Sequence, residues 1–237
     1  WTAAGLFGHH WISNLDYSLA FSAGTTLAWL QRPDGRRIKM LLQPGTTEWR
    51  EDRADARTVL RRNADGSYTF HNEERGTEVY NADGYILRRA NEQGVAWDFD
   101  YQDKLLRKVT DSSGRSISLH WQDNRLVQVT DPAGSVYRYE YTANALGSRR
   151  HRLAATTLPG APETRIAYHY EDSRHPGGLT GKSFNGSRYS TFAYDAQGRA
   201  TSTEHAGGVE RHTFQYEVER SESVAAPPAP PRPGGTT

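Results

Sequence analysis

Two groups of histidines have the residue types and spacing that could support metal binding or acid–base chemistry. His9 and His10 are adjacent, and adjacent residues of a strand point to opposite faces, so they cannot readily share one metal ion. We interpret them as loop histidines. Glu204-His205 lies across a Gly-Gly turn from Glu210 and His212, which predicts carboxylate–imidazole contacts within a hairpin. A zinc site needs a third or fourth ligand, and the sequence names none nearby.

Other reactive patterns are also missing from the sequence. The basic run 149–152 (Arg149-Arg150-His151-Arg152) has no interleaved aromatic residues and is typical of a solvated loop. There is no nucleophile elbow, Walker loop or His-Glu-x-x-His. The sequence therefore predicts no catalytic residue, cofactor or metal, and a protein that is not an enzyme. An enzyme whose site is built by loops at 144–152 and 173–178 is kept as an alternative.

The composition excludes several classes of partner. Lys plus Arg number 29 and Asp plus Glu number 28, so no field of one sign attracts nucleic acid or acidic membranes. No apolar run approaches the ~20 residues that span a bilayer, and there is no cysteine for a disulfide. The mean hydropathy is −0.81, yet there are 13 Tyr, 7 Phe and 6 Trp. This polar but aromatic-rich composition suits sheet whose faces are not both buried.

The elements that organise the chain are repeats of 20 residues between 94 and 141. Residues 102–114 match residues 122–134 at seven identical positions. Self-similarity at a fixed period is the sequence pattern of a repeat architecture. The turn glycines and strand-ending aromatic residues each recur every 20 residues, at Gly94, Gly114 and Gly134 and at Tyr101, Trp121 and Tyr141.

Between these turns, hydrophobic and polar residues alternate, which is the pattern of β-strands. Asp-Gly and similar turns separate the short runs, as in antiparallel hairpins. The sequence therefore predicts an all-β chain. The predicted elements are a first strand at 14–21, hairpins at 27–31 with 37–42, 58–62 with 67–71 and 78–80 with 85–89, and a loop at 43–56.

Three regions differ in composition. Residues 1–28 are a glycine- and aromatic-rich opening segment with the first strand, residues 29–218 are the repeat array, and residues 219–237 are a Pro-rich flexible linker or tail. The period lengthens in the second half of the array, where we place the two longer loops. Because the first residue is not Met, we expect a fragment or a processed product, with something attached beyond the linker.

The segment 194–199 (Tyr194-Asp195-Ala196-Gln197-Gly198-Arg199) resembles the YD repeat of the Rhs family, whose pattern is an aromatic residue, Asp, two variable residues, Gly and Arg. Degenerate copies begin at Tyr80, Tyr101 and Trp121. Residues 5–11 resemble the region that opens the repeat array in bacterial Rhs proteins. The resemblance covers residues 5–218.

The resemblance implies antiparallel hairpin repeats that form a curved ribbon, the N-terminal part of an Rhs-type β-shell or solenoid. It implies a structural encapsulation module whose shell encloses a C-terminal toxin for delivery by a secretion system. Such a bacterial polymorphic-toxin or type VI secretion effector is made in the cytoplasm and is secreted or delivered into target cells. The implied partners are the remaining shell repeats, an enclosed toxin domain or a second chain that completes the shell, and secretion-spike or chaperone proteins. No nucleic acid and no membrane span are expected.

The residues assigned to repeat structure are Tyr80, Gly84, Gly94, Tyr101, Gly114, Trp121, Gly134, Tyr141, Tyr170, Tyr194, Asp195, Gly198, Arg199 and Tyr216. Residues 131–135 (Asp131-Pro132-Ala133-Gly134-Ser135) are interpreted as a repeat turn, not as the cleavage motif that ends an Rhs shell. Gly114→Val or Gly134→Val is expected to destabilise the array, because β-branched residues resist positive φ. An alternative function is a cell-surface or carbohydrate-binding module that displays Tyr137 and Tyr139.

Overall fold

The computed structural model describes residues 4–53, 55–142 and 151–217, and within them the chain forms strands, one three-residue 3₁₀ turn (Ala206–Gly208) and no α-helix. Among the described residues, the first two strands, β1 (Ala4–Gly5) and β2 (Gly8–His9), pair only with each other. The others are β3 (Ser18–Phe21), β4 (Leu27–Gln31), β5 (Arg37–Leu42), β6 (Glu48–Glu51), β7 (Val59–Arg62), β8 (Tyr68–His71), β9 (Thr77–Tyr80), β10 (Ile86–Ala90), β11 (Ala96–Gln102), β12 (Leu105–Asp111), β13 (Ser116–Gln122), β14 (Arg125–Thr130), β15 (Val136–Tyr141), β16 (Leu153–Leu158), β17 (Thr164–His169), β18 (Gly181–Phe184), β19 (Ser187–Tyr194), β20 (Ala200–His205) and β21 (Val209–Thr213).

Strands β3 to β21 form one antiparallel ribbon in which each strand pairs with the next along the chain. The ribbon closes on itself once. Ser18 of β3 bridges to Tyr85 immediately before β10, and the Leu19 N–H donates to the Gly84 carbonyl at 3.0 Å. Strands β3 to β10 therefore form a closed ring, and the sheet from β11 onward stays open. Among the described residues, β21 pairs with β20 alone. The predicted all-β fold of antiparallel hairpins in a curved ribbon is confirmed.

The hydrophobic core begins inside the ring and continues along β11 to β14, where Phe99, Leu106 and Leu126 belong to the same buried cluster. Leu30, Met40, Leu60, Phe70 and Ile86 have no exposed surface, and each alternates with more exposed neighbours on its strand. Burying one such side chain stabilises the fold by about 1.5–3 kcal/mol relative to leaving it exposed. Burial decreases along the ribbon until all five residues of β21 are exposed. The ring is thus the packed end of the molecule and β21 its open end.

Local sequence patterns place most hairpins within one or two residues of their observed positions. The 27–31 and 37–42 hairpin has the predicted bounds, and Gly35 between its strands has φ +86°. The other two predicted hairpins become β7 with β8 and β9 with β10. Positive φ is cheap for glycine, which is why these turns carry one.

The first strand is shorter than predicted. The strand begins at Ser18, because residues 13–16 fold as a turn around the Asp16 carboxylate. That carboxylate accepts hydrogen bonds from the Ser13 N–H at 2.6 Å, the Ser13 hydroxyl at 2.6 Å and the Leu6 N–H at 2.8 Å. The alternation of Leu15 and Tyr17 therefore belongs to a turn and not to a strand.

The predicted loop at 43–56 is wrong in part, because it contains β6. Trp49 of this strand is buried, and its indole N–H donates to the Thr25 carbonyl at 2.8 Å. Trp49 is the single apolar residue of this four-residue strand, and its charged neighbours gave no hydrophobic pattern from which the strand could be predicted. The loop at 173–178 lies between β17 and β18. Most of the predicted loop at 144–152 and the whole tail at 219–237 lie outside the described residues.

Candidate functional site

The turn of the YD motif is held by its aspartate. The Asp195 Oδ1 accepts hydrogen bonds from the N–H groups of Gln197 and Arg199, each at 2.9 Å. The Arg199 Nε donates back to Asp195 Oδ2 at 2.7 Å. Gly198 has φ +79°, which its lack of a side chain permits. Each of the three motif residues Asp, Gly and Arg thus has one structural task in this turn.

The same turn recurs at the other half of the repeat. The Asp111 carboxylate accepts from the Ser113 hydroxyl at 2.6 Å, from the Ser113 N–H at 2.9 Å and from Arg115. The Ser113 hydroxyl bond, then the backbone N–H groups and Arg115, lower the pKa of Asp111 to about 2. The Asp131 Oδ1 accepts from the Ala133 and Ser135 N–H groups at 2.9 Å each, so residues 131–135 form a repeat turn between β14 and β15.

The repeat aromatic residues tie each hairpin to the one before it. A side-chain O–H or N–H donates to a backbone carbonyl 15 to 17 residues earlier, and we call this contact an aromatic clamp. The clamps are Trp121 to Leu106 (2.7 Å), Tyr141 to Leu126 (2.8 Å), Tyr170 to Leu153 (2.8 Å), Tyr194 to Leu179 (2.7 Å) and Tyr216 to Ala200 (2.8 Å). Tyr101 instead stacks against Tyr85, with ring centroids 5.2 Å apart.

Arginines lie over two of the clamp tyrosines. The Arg199 guanidinium carbon is 4.4 Å from the centroid of the Tyr216 ring, so the motif arginine of one unit contacts the tyrosine of the next. Arg152 lies 4.6 Å from the centroid of Tyr170 and is 93% buried, since only 7% of it is exposed. The solvated-loop interpretation is therefore wrong for Arg152. Arg149 and Arg150 of the same run lie outside the described residues.

The described part of the opening segment that precedes β3, residues 4–17, lies on one face of the ribbon, which we call the inner face; from here on, the opening segment means these residues. Phe7 contacts Tyr139 with ring centroids 4.7 Å apart, and Trp11 contacts Tyr168 at the same distance. The Trp11 indole N–H also donates to the Tyr170 hydroxyl at 2.9 Å. The opening segment thus contacts the ribbon through the aromatic residues of β15 and β17 and the clamp tyrosine that follows β17.

The two histidine groups have separate roles. His9 is buried in β2, and its backbone N–H donates to the His151 carbonyl at 2.9 Å. The loop interpretation is therefore wrong for His9. The His205 Nε2 and a Glu210 carboxylate oxygen are 3.1 Å apart, as the hairpin predicts. Among the described residues, no three His, Asp or Glu side chains are grouped so as to hold a metal ion.

A buried ion pair inside the ring was not predicted. Arg32 donates two hydrogen bonds to the Glu78 carboxylate, at 2.6 and 2.7 Å, and the Tyr80 hydroxyl donates to the same carboxylate at 2.6 Å. The side-chain amide of Asn72 also donates to the Glu78 carboxylate, at 3.3 Å. Burial and the adjacent Glu78 charge raise the pKa of Tyr80 well above its usual value. Arg32 follows β4 and Glu78 lies in β9, so no local pattern links them.

One cluster has the residue types of a hydrolytic triad but not its geometry. The Ser183 Oγ and His169 Nε2 are 2.7 Å apart, yet the His169 Nδ1 is 3.8 Å from Glu171. That distance is too long for Glu171 to orient the imidazole by a hydrogen bond. Glu171 is instead bound by Arg188 at 3.0 and 3.1 Å, and Ser183 is buried. The cluster joins β17 to β18 and β19.

Two cavities flank the opening segment. One, of about 450 Å³, lies against β11–β13 and is lined by Leu6, Leu15, Tyr101 and Trp121 among others. The other, of about 570 Å³, is lined by Trp11 and the clamp tyrosines Tyr170 and Tyr194, with His175 from the loop at 173–178. The His175 Nε2 bonds the Asp195 carbonyl at 2.8 Å, so that nitrogen positions a turn.

The comparisons agree with this repeat geometry. The RHS Repeat family profile matches residues 120–163, which contain β14 and β15 and the turn at 131–135. No curated protein matches the chain. No helix within the described residues is long and apolar enough to cross a membrane. Residues 120–163 therefore contain an Rhs-type repeat, and the same aspartate turns and aromatic clamps recur outside the matched residues, which supports a relation of the chain to the Rhs/YD-repeat family.

Proposed function

We propose that this chain is part of the wall of an Rhs-type shell that encloses a toxic polypeptide for delivery by a secretion system. The observation that carries the proposal is the asymmetry of the ribbon. Strands β3 to β10 close into a packed ring, whereas β21 is fully exposed and pairs only with β20 among the described residues. A closed end and an open end suit the base of a container whose wall is continued by further repeats.

The inner face supports the same proposal. A polypeptide, the opening segment, already lies on it and contacts Tyr139, Tyr168 and Tyr170. Cavities of about 450 and 570 Å³ remain on both sides of that segment. A single sheet that encloses space needs fewer aliphatic residues than a two-layer sandwich, in agreement with the polar composition.

The open edge supports a wall that continues. An exposed strand edge presents unpaired N–H and C=O groups to any further strand. Val209, Phe214 and Tyr216 near this edge are each about half exposed. Further repeats, from the same or a second polypeptide, would cover these side chains. The proposed location is that of an effector made in the cytoplasm and then secreted or delivered.

Cryo-electron microscopy of the full-length natural protein tests this function. We expect the ribbon to continue past β21 and to surround density for a second polypeptide. Limited proteolysis should cleave that polypeptide only after the wall is opened by denaturant. A ribbon that ends near β21, or a compact sandwich with a filled core, would contradict the proposal.

The carbohydrate-binding alternative is weakened by the position of its tyrosines. Tyr139 packs against Phe7, and burial raises the pKa of Tyr139 to about 12. Tyr137 is half-buried. These side chains are therefore not displayed as an open stacking surface, and no contact of the described residues favours a glycan ligand over an enclosed polypeptide.

A further inference from the structure

We propose that the cavity beside the clamp tyrosine Tyr194 is a binding site for an arginine side chain of a second polypeptide. The site, which we call the clamp slot, is the cavity of about 570 Å³ that is lined by Trp11, Tyr170, His175 and Tyr194 among others. The inference rests on the proposed function, because the clamp slot lies beside the opening segment on the inner face, where the wall would hold the enclosed polypeptide.

The repeat itself shows which residue belongs beside a clamp. The residue immediately before the acceptor carbonyl is an arginine in three of the five clamps, namely Arg125 for Tyr141, Arg152 for Tyr170 and Arg199 for Tyr216. It is Leu105 for Trp121 and Gly178 for Tyr194. Gly178 therefore stands at the repeat position of the clamp arginine.

Two of these arginines lie over the ring of their own clamp tyrosine. The guanidinium carbon of Arg152 is 4.6 Å from the centroid of Tyr170, and that of Arg199 is 4.4 Å from the centroid of Tyr216. The negative face of an aromatic ring attracts a guanidinium at such distances. The clamp geometry thus already holds an arginine side chain at two places in this chain.

A side chain at position 178 would lie against the Tyr194 ring. A Cβ at Gly178 would be 3.3 Å from Tyr194 Cε2 and 3.5 Å from Tyr194 Cζ. Because Gly178 has no side chain, this space stays open and belongs to the cavity that Gly178 lines. The His175 ring lies edge-on to Tyr194, with centroids 6.3 Å apart, which is further than either arginine is from its tyrosine. The Tyr194 ring therefore has room for a guanidinium.

One acceptor at the edge of the clamp slot can bind the cation. The hydroxyls of the two clamp tyrosines that line it already donate to carbonyls. The His175 Nε2 bonds the Asp195 carbonyl, which can only accept, so in the neutral imidazole Nε2 carries the proton and Nδ1 keeps a lone pair. A Cβ at the lining residue Gly198 would be 3.3 Å from that Nδ1. A guanidinium N–H in the cavity can therefore donate to His175.

The charges around the clamp slot favour a guanidinium over an ammonium. Among the described residues that line the cavity, none carries a carboxylate. Nearby, Asp172 is paired with Arg174 at 2.8 Å, and Asp195 is paired with Arg199 at 2.7 Å. Arg152 adds a positive charge on the ring of the preceding clamp. A ligand cation must therefore be held by the rings, and a guanidinium is less strongly hydrated than an ammonium and stacks better on aromatic faces.

The test uses the full chain and capped pentapeptides, acetyl-GGXGG-amide, in which X is arginine, lysine or citrulline, measured by NMR titration. We expect the arginine peptide to bind saturably, with a Kd of roughly 1 mM. The lysine peptide and the uncharged citrulline peptide should bind at least about fivefold more weakly. Free L-arginine should bind no more tightly than the arginine peptide. If L-arginine binds at least about tenfold more tightly, the site takes the free amino acid and the assignment to a polypeptide is overturned.

Two matched pairs of variants locate the binding. Gly178→Arg and Gly178→Ala add the same Cβ, but only Gly178→Arg places a guanidinium of the chain itself in the clamp slot. It should abolish binding of the arginine peptide and melt above Gly178→Ala, which should still bind. Tyr194→Phe and Tyr194→Leu both lose the clamp hydroxyl, and only Tyr194→Leu loses the ring, so Tyr194→Phe should bind the peptide and Tyr194→Leu should not.

Thermal melts show that each variant is folded before its affinity is compared. Absence of saturable binding to the parent chain, or equal affinities within either pair of folded variants, would overturn the inference. If the arginine peptide fails to bind while microscopy shows an enclosed polypeptide, only the clamp slot is wrong. If it binds while no shell is seen, only the proposed function is wrong.

Discussion

Two glycines of one sequence motif have different tasks in this fold. Gly84 and Gly94 each end an Asn-x-x-Gly turn, have φ +86° and +81°, and donate their N–H to the turn asparagine carbonyl at 3.0 Å. A Cβ at Gly84 would overlap the Leu19 carbonyl oxygen, whereas a Cβ at Gly94 would meet no atom within 4 Å. Only Gly84 lies where the ring closes.

Gly84→Ala should therefore destabilise the chain more than Gly94→Ala. The Gly94 substitution costs about 1 kcal/mol, the strain of positive φ in an L-residue. The Gly84 substitution adds displacement of Leu19 from the β3 bridge. Urea unfolding followed by circular dichroism measures both free energies. Equal losses in the two variants would show that the ring closure at Leu19 is not tight.

Asp111→Ala should change the pH dependence of stability. The pKa of Asp111 is about 2 in the folded chain, below the ~3.9 of an unfolded aspartate. Its contribution is therefore fully present above about pH 4 and is lost as the pH falls through about 2. The variant should melt below the parent at pH 7, and the gap should close between about pH 4 and 2.

Asp83→Ala is the control for that titration, because Asp83 is exposed and accepts no hydrogen bond from the described residues. At pH 7 its melting temperature should differ little from that of the parent, because the substitution removes no hydrogen bond. A gap for Asp111→Ala that stays constant from pH 7 to 2 would contradict the role of the ionised carboxylate in the turn.

At the scale of the elements, stability comes from joining hairpins. An isolated two-stranded hairpin is marginal in water, so each unit depends on its neighbours. Backbone pairing joins the strands, and the aromatic clamps add a side-chain bond to the previous unit. The hydroxyl of the clamp tyrosine Tyr170 also accepts a hydrogen bond from the Trp11 indole N–H of the opening segment at 2.9 Å. The clamps therefore connect the array both to itself and to that segment.

Tyr141→Phe tests how much the clamp hydrogen bond contributes to stability, and Tyr137→Phe on the same strand is its control. The first substitution removes the bond to the Leu126 carbonyl and should cost about 1 kcal/mol. Tyr137 makes no side-chain hydrogen bond to the described residues, so its substitution should be nearly neutral. Chemical denaturation of both variants measures the difference. Equal stability would show that the clamp hydroxyl contributes nothing.

At the scale of the whole molecule, the closed ring depends on partners far apart in sequence. Arg32 and Glu78 are separated by 46 residues, and their side chains are 9% and 0% exposed. Buried charges are costly unless they are paired and fully hydrogen-bonded, and here Tyr80 and Asn72 complete the carboxylate shell. The pair joins β9 to the residue that follows β4, two parts of the ring that are not hydrogen-bonded neighbours in the sheet.

Glu78→Leu should destabilise the chain by about 3–5 kcal/mol, because Arg32 would remain buried without a counter-charge. The double variant Arg32→Met, Glu78→Leu should recover part of that loss. Arg138→Met is the exposed control, since its 2.8 Å pair with Glu163 is half exposed on both sides and should contribute about 0–1 kcal/mol. A Glu78→Leu loss no larger than the Arg138→Met loss would contradict the stabilising role of the buried Arg32–Glu78 pair.

Local pattern was enough to predict the repeat. Alternation, turn glycines and aspartates act over two to five residues, so the hairpins, the all-β fold and the repeat turn at 131–135 follow from neighbouring residues alone. The 20-residue period adds the spacing of Trp121 and Tyr141. The same local reasoning does not predict the strand at Trp49, whose neighbours are charged. It also predicts a strand where the Asp16 carboxylate holds a turn by accepting hydrogen bonds from backbone N–H groups.

What those hairpins build depends on contacts between residues that are far apart in the sequence. Gly84 acquires its steric role from Leu19, and Arg32 finds its counter-charge in Glu78. The Trp11 indole N–H finds its acceptor in the Tyr170 hydroxyl, 159 residues away. His9 becomes a buried residue and Arg152 a covered one only when the opening segment and β16 come together. Such contacts depend on the curvature that many strands together give the ribbon. A short stretch of sequence does not determine that curvature, so these contacts could not be predicted from local patterns.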